Sequence, residues 1–198
     1  ATGSRDKTIR VWDAETGGVL LVIDVGSGVK ALAFFADPAT GAPRLACTAG
    51  KHVRVFDPVA GGEALVKLDV RADALEVFTD PATGAPRLVT NSGKVFDPVA
   101  GGAAIEDPGE LPEDVRERLR GEVRFADPAT GAPRLARMTD QTVSIFDPVA
   151  GGAALFVLEG HTADVNALTA FTDPATGETR LVSGSWDKTL RVWDASKG

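Results

Sequence analysis

One motif recurs along the whole chain of 198 residues: a β-branched residue, an aromatic residue and an aspartate in succession. The five copies are Val11-Trp12-Asp13, Val55-Phe56-Asp57, Val95-Phe96-Asp97, Ile145-Phe146-Asp147 and Val192-Trp193-Asp194. Their aromatic positions lie 44, 40, 50 and 47 residues apart. A period of this length indicates one supersecondary unit copied in tandem. The chain is therefore predicted to be a repeat protein.

A second motif, Asp-Pro-Ala-Thr-Gly, alternates with the first and begins at Asp37, Asp80, Asp127 and Asp173. Its proline presets φ for a turn, its aspartate accepts backbone N–H groups, and its glycine adopts positive φ. A related turn, Asp-Pro-Val-Ala-Gly-Gly, follows the aromatic residue in the three middle copies. Each repeat is therefore predicted to contain two kinds of turn.

The segments between these turns are short and rich in β-branched residues. Examples are residues 29–34, 44–48, 52–56 and 64–68. Such runs are typical of β-strands. Four strands in each repeat of 40 to 50 residues predict an all-β fold, a β-propeller of four-stranded antiparallel blades. About four blades are expected per chain, with a larger ring if a second chain completes it.

The two ends of the chain resemble WD40 repeats. Gly160-His161 together with residues 181–194, which contain Trp186-Asp187 and Trp193-Asp194, is similar to a complete repeat, and residues 1–13 are similar to the last part of another. The resemblance implies blades whose strands A to D run outward from a central channel, with Trp-Asp closing strand C. The middle repeats share the period and little of the signature.

The resemblance also implies a structural role for a set of polar residues in the last repeat. His161, a serine of strand B (Ser183 or Ser185), Asp187 and Trp193 would form a hydrogen-bonded chain within one blade. We expect no catalytic dyad of His161 and Asp187, because no nucleophile is expected beside them.

The middle repeats cannot form this chain of hydrogen bonds. Phe56, Phe96 and Phe146 replace tryptophan and have no N–H to donate. The third repeat is also shorter, with 9 residues from Arg87 to Phe96 where its sisters have 12 or 13. The last blade is therefore expected to be the most stable and the third the least.

Residues 103–120 depart from the strand pattern and predict a short helix near residues 112–120. Leu111, Val115 and Leu119 would share one face of it. Two interpretations stay open for this helix. It covers the outer edge of an irregular blade, or it docks a partner.

An arginine recurs at the same place in four repeats, namely Arg44, Arg87, Arg134 and Arg180. The four would form a ring on one side of the protein, or each would bind a turn carboxylate such as Asp37 or Asp80. The second interpretation is favoured, because copied residues usually serve the copied fold.

Composition argues against several classes of function. A net charge of −7 disfavours nucleic acid as the main partner. With two histidines, one cysteine and no tyrosine, the sequence indicates no metal site, no cofactor site and no Ser-His-Asp grouping. No apolar run approaches the length of a membrane span, and no leader is recognised. A non-enzymatic, cytoplasmic protein without a membrane partner is expected, with Cys47 as an unreactive thiol.

The strand count leaves the ends of the chain unequal. The expected blades are residues 1–25 (partial), 26–70, 71–120 (irregular), 121–159 and 160–198 (without an outer strand), all within one propeller. The sequence predicts five C strands but only four A strands. The chain would close as a four-bladed monomer, join a second copy, or form part of a longer propeller.

Three functions are compatible with this pattern. The first is a scaffold or regulatory sensor module that binds proteins or peptides, including another copy of itself through the open blade. The second is a propeller lectin or small-ligand binder, for which Trp186 is the candidate contact. The third is an engineered or evolutionary fragment whose only activity is assembly.

Overall fold

The computed structural model describes residues 1–106 and 108–196, and in that part the chain is almost entirely β-structure. Residue 107, in the irregular third repeat, and residues 197–198, in the last, lie outside the described residues. The elements are β1 Thr2–Gly3, β2 Thr8–Trp12, β3 Val19–Asp24, β4 Val29–Ala36, β5 Pro43–Ala49, β6 His52–Phe56, β7 Val66–Leu68, β8 Leu75–Thr79, β9 Pro86–Thr90, β10 Val95–Phe96, α1 Glu113–Leu119, β11 Glu122–Ala126, β12 Pro133–Thr139, β13 Thr142–Phe146, β14 Phe156–Leu158, β15 Val165–Thr172, β16 Thr179–Ser185 and β17 Leu190–Asp194.

These strands form five antiparallel sheets in which each strand pairs with the next along the chain. Two sheets have four strands, β4 to β7 and β11 to β14, while the sheets β1 to β3, β8 to β10 and β15 to β17 have three. The prediction of an all-β fold built of antiparallel, blade-like sheets is confirmed. The chain divides into two compact units, residues 1–115 with three sheets and residues 116–198 with two.

The Asp-Pro-Ala-Thr-Gly turns follow the predicted chemistry. In the first of them, Asp37 Oδ1 accepts the N–H of Ala39 at 3.0 Å, and the N–H of Gly41 donates to the Asp37 carbonyl at 2.8 Å. Gly41 has φ of 70°, a conformation that costs glycine little. Because the same bonds recur after Asp80, Asp127 and Asp173, the turn sequence sets the A-to-B connection in every copy.

The hydrophobic core lies between neighbouring sheets of the same unit. In unit 1, Ile9 and Ile23 of the first sheet pack with Leu45 of the second, and Leu68 of the second belongs to a cluster with Leu88 of the third. In unit 2, Ile145 packs in a cluster with residues of the last sheet. Within each unit, neighbouring sheets therefore bury their apolar faces against one another, as stacked blades do.

The third sheet has no outer strand among the described residues. The N–H of Ile105 donates to the Val95 carbonyl at 2.8 Å, the same bond that Leu65 makes to Val55 in the second sheet at 2.8 Å. The chain thus makes the usual first hydrogen bond of an outer strand at Ile105, and no outer strand of this sheet is found among the described residues. Because β10 also has only two residues, this sheet has the least strand pairing of those in which strands A to C are described.

Helix α1 begins at Glu113, directly after Pro112, and turns its apolar face inward. Val115 is 1% exposed, which disfavours it as a partner contact in the docking interpretation. Leu111 and Leu119 are half-buried. The buried carboxylate of Glu117 lies 2.6 Å from Arg124 Nε of β11, which holds the helix to its own chain. These contacts favour the covering interpretation of the segment over the docking one.

In the described part of the chain, no helix has the length and apolar character needed to cross a membrane.

Candidate functional site: the last sheet and its open edge

Four polar side chains of the last repeat form one continuous chain of hydrogen bonds. Trp193 Nε1 donates to Ser183 Oγ at 2.7 Å, and the same oxygen lies 2.8 Å from His161 Nε2. On the other side of the imidazole ring, His161 Nδ1 lies 2.7 Å from Asp187 Oδ2. These hydrogen bonds connect β16 and β17 to the loop that precedes β15.

Along this series of hydrogen bonds, every donor faces an acceptor. A carboxylate only accepts, so His161 Nδ1 carries the hydrogen and Nε2 accepts from the hydroxyl of Ser183. Ser183 is completely buried, and the side chain of His161 has no exposed surface. The hydroxyl of Thr189 and then the His161 ring hold the pKa of Asp187 far below its ordinary value. A buried network in which every member is satisfied stabilises the sheet that contains it.

Only one of the two candidate serines takes part. Ser185 Oγ donates to the Ala163 carbonyl at 2.7 Å and accepts the N–H of Asp187 at 3.1 Å, so it shapes the turn that presents Asp187. Ser183 is the serine that bonds His161 and Trp193.

The sequence indicates no catalytic Ser-His-Asp grouping, although the predicted chain of hydrogen bonds contains these three residue types. Ser183, His161 and Asp187 are joined in the order of a hydrolase triad. The hydroxyl of Ser183 is nevertheless buried, and it already accepts a hydrogen bond from Trp193. A nucleophile must reach its substrate, so this geometry serves structure.

Stability is expected to fall at acid pH through Asp187. Its pKa is lower in the folded chain than in the unfolded one, so the stabilisation is complete above pH about 4 and is lost as the pH decreases further. Urea unfolding of the full chain between pH 7 and pH 3 measures the decrease. The Asp187→Asn variant should show a shallower pH dependence than the original chain, and parallel curves would contradict the assignment.

Parts of the same arrangement occur in unit 1, at positions that the sequence pattern did not reveal. Trp12 Nε1 donates to Thr2 Oγ1 at 2.8 Å, which repeats the bond from Trp193 to Ser183. In the second sheet, Cys47 lies opposite Arg54 as Ser183 lies opposite Arg191. Burial raises the pKa of Cys47 to about 11, so its thiol is poorly reactive.

Each repeated arginine joins two turn carboxylates of its own sheet. Arg44 lies 3.0 Å from Asp37 and 3.6 Å from Asp57, so it connects the A-to-B turn with the aspartate of the aromatic-Asp motif. Arg87 and Arg134 repeat this with Asp80, Asp97, Asp127 and Asp147. Arg180 differs, since it pairs with Glu178 at 2.7 Å and Asp194 at 3.4 Å. The arginines therefore bind the copied turns, as the favoured interpretation predicted.

The Arg134→Ala variant is expected to lower the Tm of the chain by roughly 2–4 °C. The side chain of Arg134 is only 15% exposed, and its guanidinium lies 3.1 Å from Asp127 and 3.8 Å from Asp147, so both carboxylates lose a partner. Arg134→Lys is the matched control, because an ammonium group keeps the charge without the planar fork. A thermal melt followed by circular dichroism measures both. If the alanine variant loses no more than the lysine variant, the two-carboxylate contact is unimportant.

The outer edge of β17 differs from the same edge of the complete sheets. Equivalent residues of β6, Val53 and Val55, are 0% and 1% exposed, whereas Leu190 and Val192 of β17 are 76% and 64% exposed. In the complete sheets an outer strand pairs with these positions, as Leu68 does with Val53. Among the described residues, β17 has β16 as its only hydrogen-bonded neighbour strand. Two apolar side chains and a backbone edge are thus left exposed.

Trp186 lies in the turn between β16 and β17 and is 62% exposed. Its backbone N–H donates to the Asp164 carbonyl at 3.0 Å. In the first repeat, Arg5 occupies the equivalent position, so the aromatic group is not copied around the repeats. Within residues 1–106 and 108–196, no cluster of histidine, cysteine and acidic side chains is arranged to hold a metal ion.

Comparisons with known proteins point to one family. The WD domain, G-beta repeat model matches residues 1–13 and 152–194. A U3 small nucleolar RNA-associated protein 15 homolog from Gallus gallus is 37% identical over 67 residues, which cover 34% of this chain and 12% of that protein. The homolog of the same name from Xenopus laevis is 38% identical over 68 residues, with the same coverage. The matched segment thus spans about an eighth of these relatives. The residues that match the WD domain, G-beta repeat model include the hydrogen-bonded last sheet, so the two ends of this chain are similar to WD40 repeats.

Proposed function

We propose that this chain is a non-enzymatic protein-interaction scaffold, or the regulatory sensor module of a larger system, that takes a protein or peptide partner as a β-strand at the edge of β17. The observation that carries the proposal is the exposure of Leu190 and Val192, which are 76% and 64% exposed. WD40 proteins generally act as interaction scaffolds, and the family match supports that class of role.

The edge of β17 provides both contributions that strand addition needs. Unpaired backbone groups of an edge strand supply affinity, and side chains at alternate positions supply specificity. Leu190 and Val192 are two residues apart, so they lie on the same face of the strand. A bound strand would bury both of them.

The complete sheets indicate what the bound strand must look like. In unit 2, Val143 pairs with Leu158 and Ile145 pairs with Phe156, both on the outer strand β14. The partner strand should therefore carry two apolar residues separated by one residue, running antiparallel to β17. Electrostatics also favour a protein partner over a polyanion, because the net charge is −7 and the repeated arginines are paired with carboxylates. The absence of a nucleic-acid partner and a cytoplasmic location stay predictions.

A labelled peptide with the sequence of residues 14–25 tests the proposal, because these residues contain β3, an outer strand of this chain. The peptide in excess should bind the full chain in a fluorescence anisotropy titration after overnight equilibration. Replacing both Leu190 and Val192 with lysine should weaken binding by at least about tenfold.

The control changes two apolar residues that are equally exposed but lie in turns. Val59 and Val149, 76% and 82% exposed, are replaced with lysine and should leave peptide binding unchanged. Equal affinity of the edge variant and the turn variant, or no binding to the original chain, would refute strand addition at β17.

A further inference from the structure

Residues 3–13 and residues 184–194 are nearly the same sequence, with nine of eleven positions identical. The first segment contains β2 and ends at Trp12-Asp13, and the second contains β17 and ends at Trp193-Asp194. Among the described residues, β2 pairs with the outer strand β3, whereas β17 pairs with no outer strand. The chain thus contains two almost identical strands, β2 and β17, but only β2 is paired with an outer strand.

We propose that the strand completing β17 is β3 of a second copy of this chain, and that β16 and β17 of the first copy replace β1 and β2 beside that β3. This rests on the proposed function, since it names the partner that occupies the same edge. Strand exchange of this kind swaps identical elements between copies.

The pairing of β2 with β3 gives the register of the exchanged strand. Ile9 pairs with Ile23, Arg10 with Val22, and Val11 with Leu21. By the sequence match, Leu190 would face Ile23, Arg191 would face Val22, and Val192 would face Leu21 of the second copy. The two exposed apolar residues of β17 would then meet the apolar residues that already fit an almost identical strand.

The first sheet offers β3 a smaller sheet to pair with than the last sheet would. Its strand β1 has only two residues, and among the described residues no strand lies beyond β1. Leu20 and Val22 of β3 are 66% and 52% exposed. The last sheet already has three strands and the full chain of hydrogen bonds from Trp193 to Asp187. Transfer of β3 would therefore produce a complete four-stranded blade.

Two glycines support the exchange. A Cβ atom on Gly3 would overlap Cγ1 of Val29, so only glycine fits between β1 and the second sheet. The equivalent residue of β16 is Gly184, whose Cβ atom would lie 3.3 Å from Leu190 Cδ2, 3.6 Å from Ala167 Cβ and 3.8 Å from Asn166 Oδ1. The last sheet by itself therefore restricts residue 184 to glycine less strictly than the first and second sheets restrict residue 3. Glycine at residue 184 is what the exchange requires, because this residue would then lie against Val29 of the second copy.

Light scattering on the full chain and on two matched variants tests the exchange. The original chain should approach twice the 20.5 kDa mass of one chain as its concentration rises. Gly3→Ala should displace β1 and tighten association by about tenfold, while Gly184→Ala should weaken it by about tenfold. Circular dichroism checks that both variants fold. A constant mass of one chain, or glycine variants that change association in the same direction, would overturn the proposal.

A mixing experiment identifies the source of the strand. On a Cys47→Ala background, one chain carries Arg191→Cys and another carries Val22→Cys, and the two are mixed and oxidised in air. Exchange between copies should give a disulfide joining the two different chains, whereas a Val149→Cys chain as partner should give none. If instead the cysteines join only when both lie in the same chain, β3 closes its own β17 and the second copy is excluded. Binding of the peptide of residues 14–25 to a chain that stays monomeric would keep the proposed function and refute this inference.

Discussion

Ser183→Ala is expected to lower the free energy of unfolding of unit 2 by about 2–4 kcal/mol. The hydroxyl of Ser183 is completely buried and bonds both Trp193 Nε1 at 2.7 Å and His161 Nε2 at 2.8 Å. Removing it leaves the partly buried indole N–H of Trp193 and the buried Nε2 of His161 without this partner, and each carries a desolvation cost. Urea unfolding followed by tryptophan fluorescence measures the change, since Trp193 reports on this sheet directly.

Ser185→Ala is the matched control for this prediction. Ser185 lies two residues away on β16 and bonds only backbone groups of Ala163 and Asp187. Its replacement should cost about 1 kcal/mol, because water reaches this half-buried turn more easily. Equal losses for the two serine variants would show that the chain from Trp193 to Asp187 does not stabilise the sheet.

Ile145→Ala is expected to lower the free energy of unfolding by about 2–5 kcal/mol, and Val192→Ala by less than about 0.5 kcal/mol at low protein concentration. The two residues occupy equivalent positions on β13 and β17, yet Ile145 is 0% exposed and Val192 is 64% exposed. The outer strand β14 pairs with β13, and Phe156 lies opposite Ile145. Removing methyl groups leaves a cavity only where neighbours enclose them.

The same two variants connect stability with assembly. If β3 of a second copy covers β17, the cost of Val192→Ala should increase at high protein concentration, because association adds to stability by mass action. The cost of Ile145→Ala should not change. A large cost for Val192→Ala in the monomer would mean that the edge is already covered within one chain.

Much of the fold could be predicted because the responsible interactions are local. The turn at Asp37 is closed by its own side chain and by Gly41, four residues further on. Likewise, Arg44 reaches Asp37 from the strand that follows the turn, so repetition alone indicated that the arginine serves the turn. The period of the aromatic-Asp motif then gave the strand order, since each strand pairs with the next in the chain.

The missed features depend on register and burial, which a pattern along the chain does not contain. Thr2 takes the place of Ser183 and Cys47 lies at the equivalent position of β5, but neither belongs to a recognisable motif. The choice between Ser183 and Ser185 depends on which side chain reaches across to His161. The sequence left the role of the buried Val115 open, because an apolar helix face has the same pattern whether it faces a partner or the chain itself.

Hydrogen–deuterium exchange of β17, measured on the full chain at low and high concentration with β13 as internal reference, tests the central claim most directly. At low concentration, the amides of β17 should exchange much faster than those of β13, because β13 is paired on both sides and β17 on one. At high concentration, β17 should become protected while β13 stays as it was. Slow, concentration-independent exchange of β17 would contradict an open edge that a second copy fills.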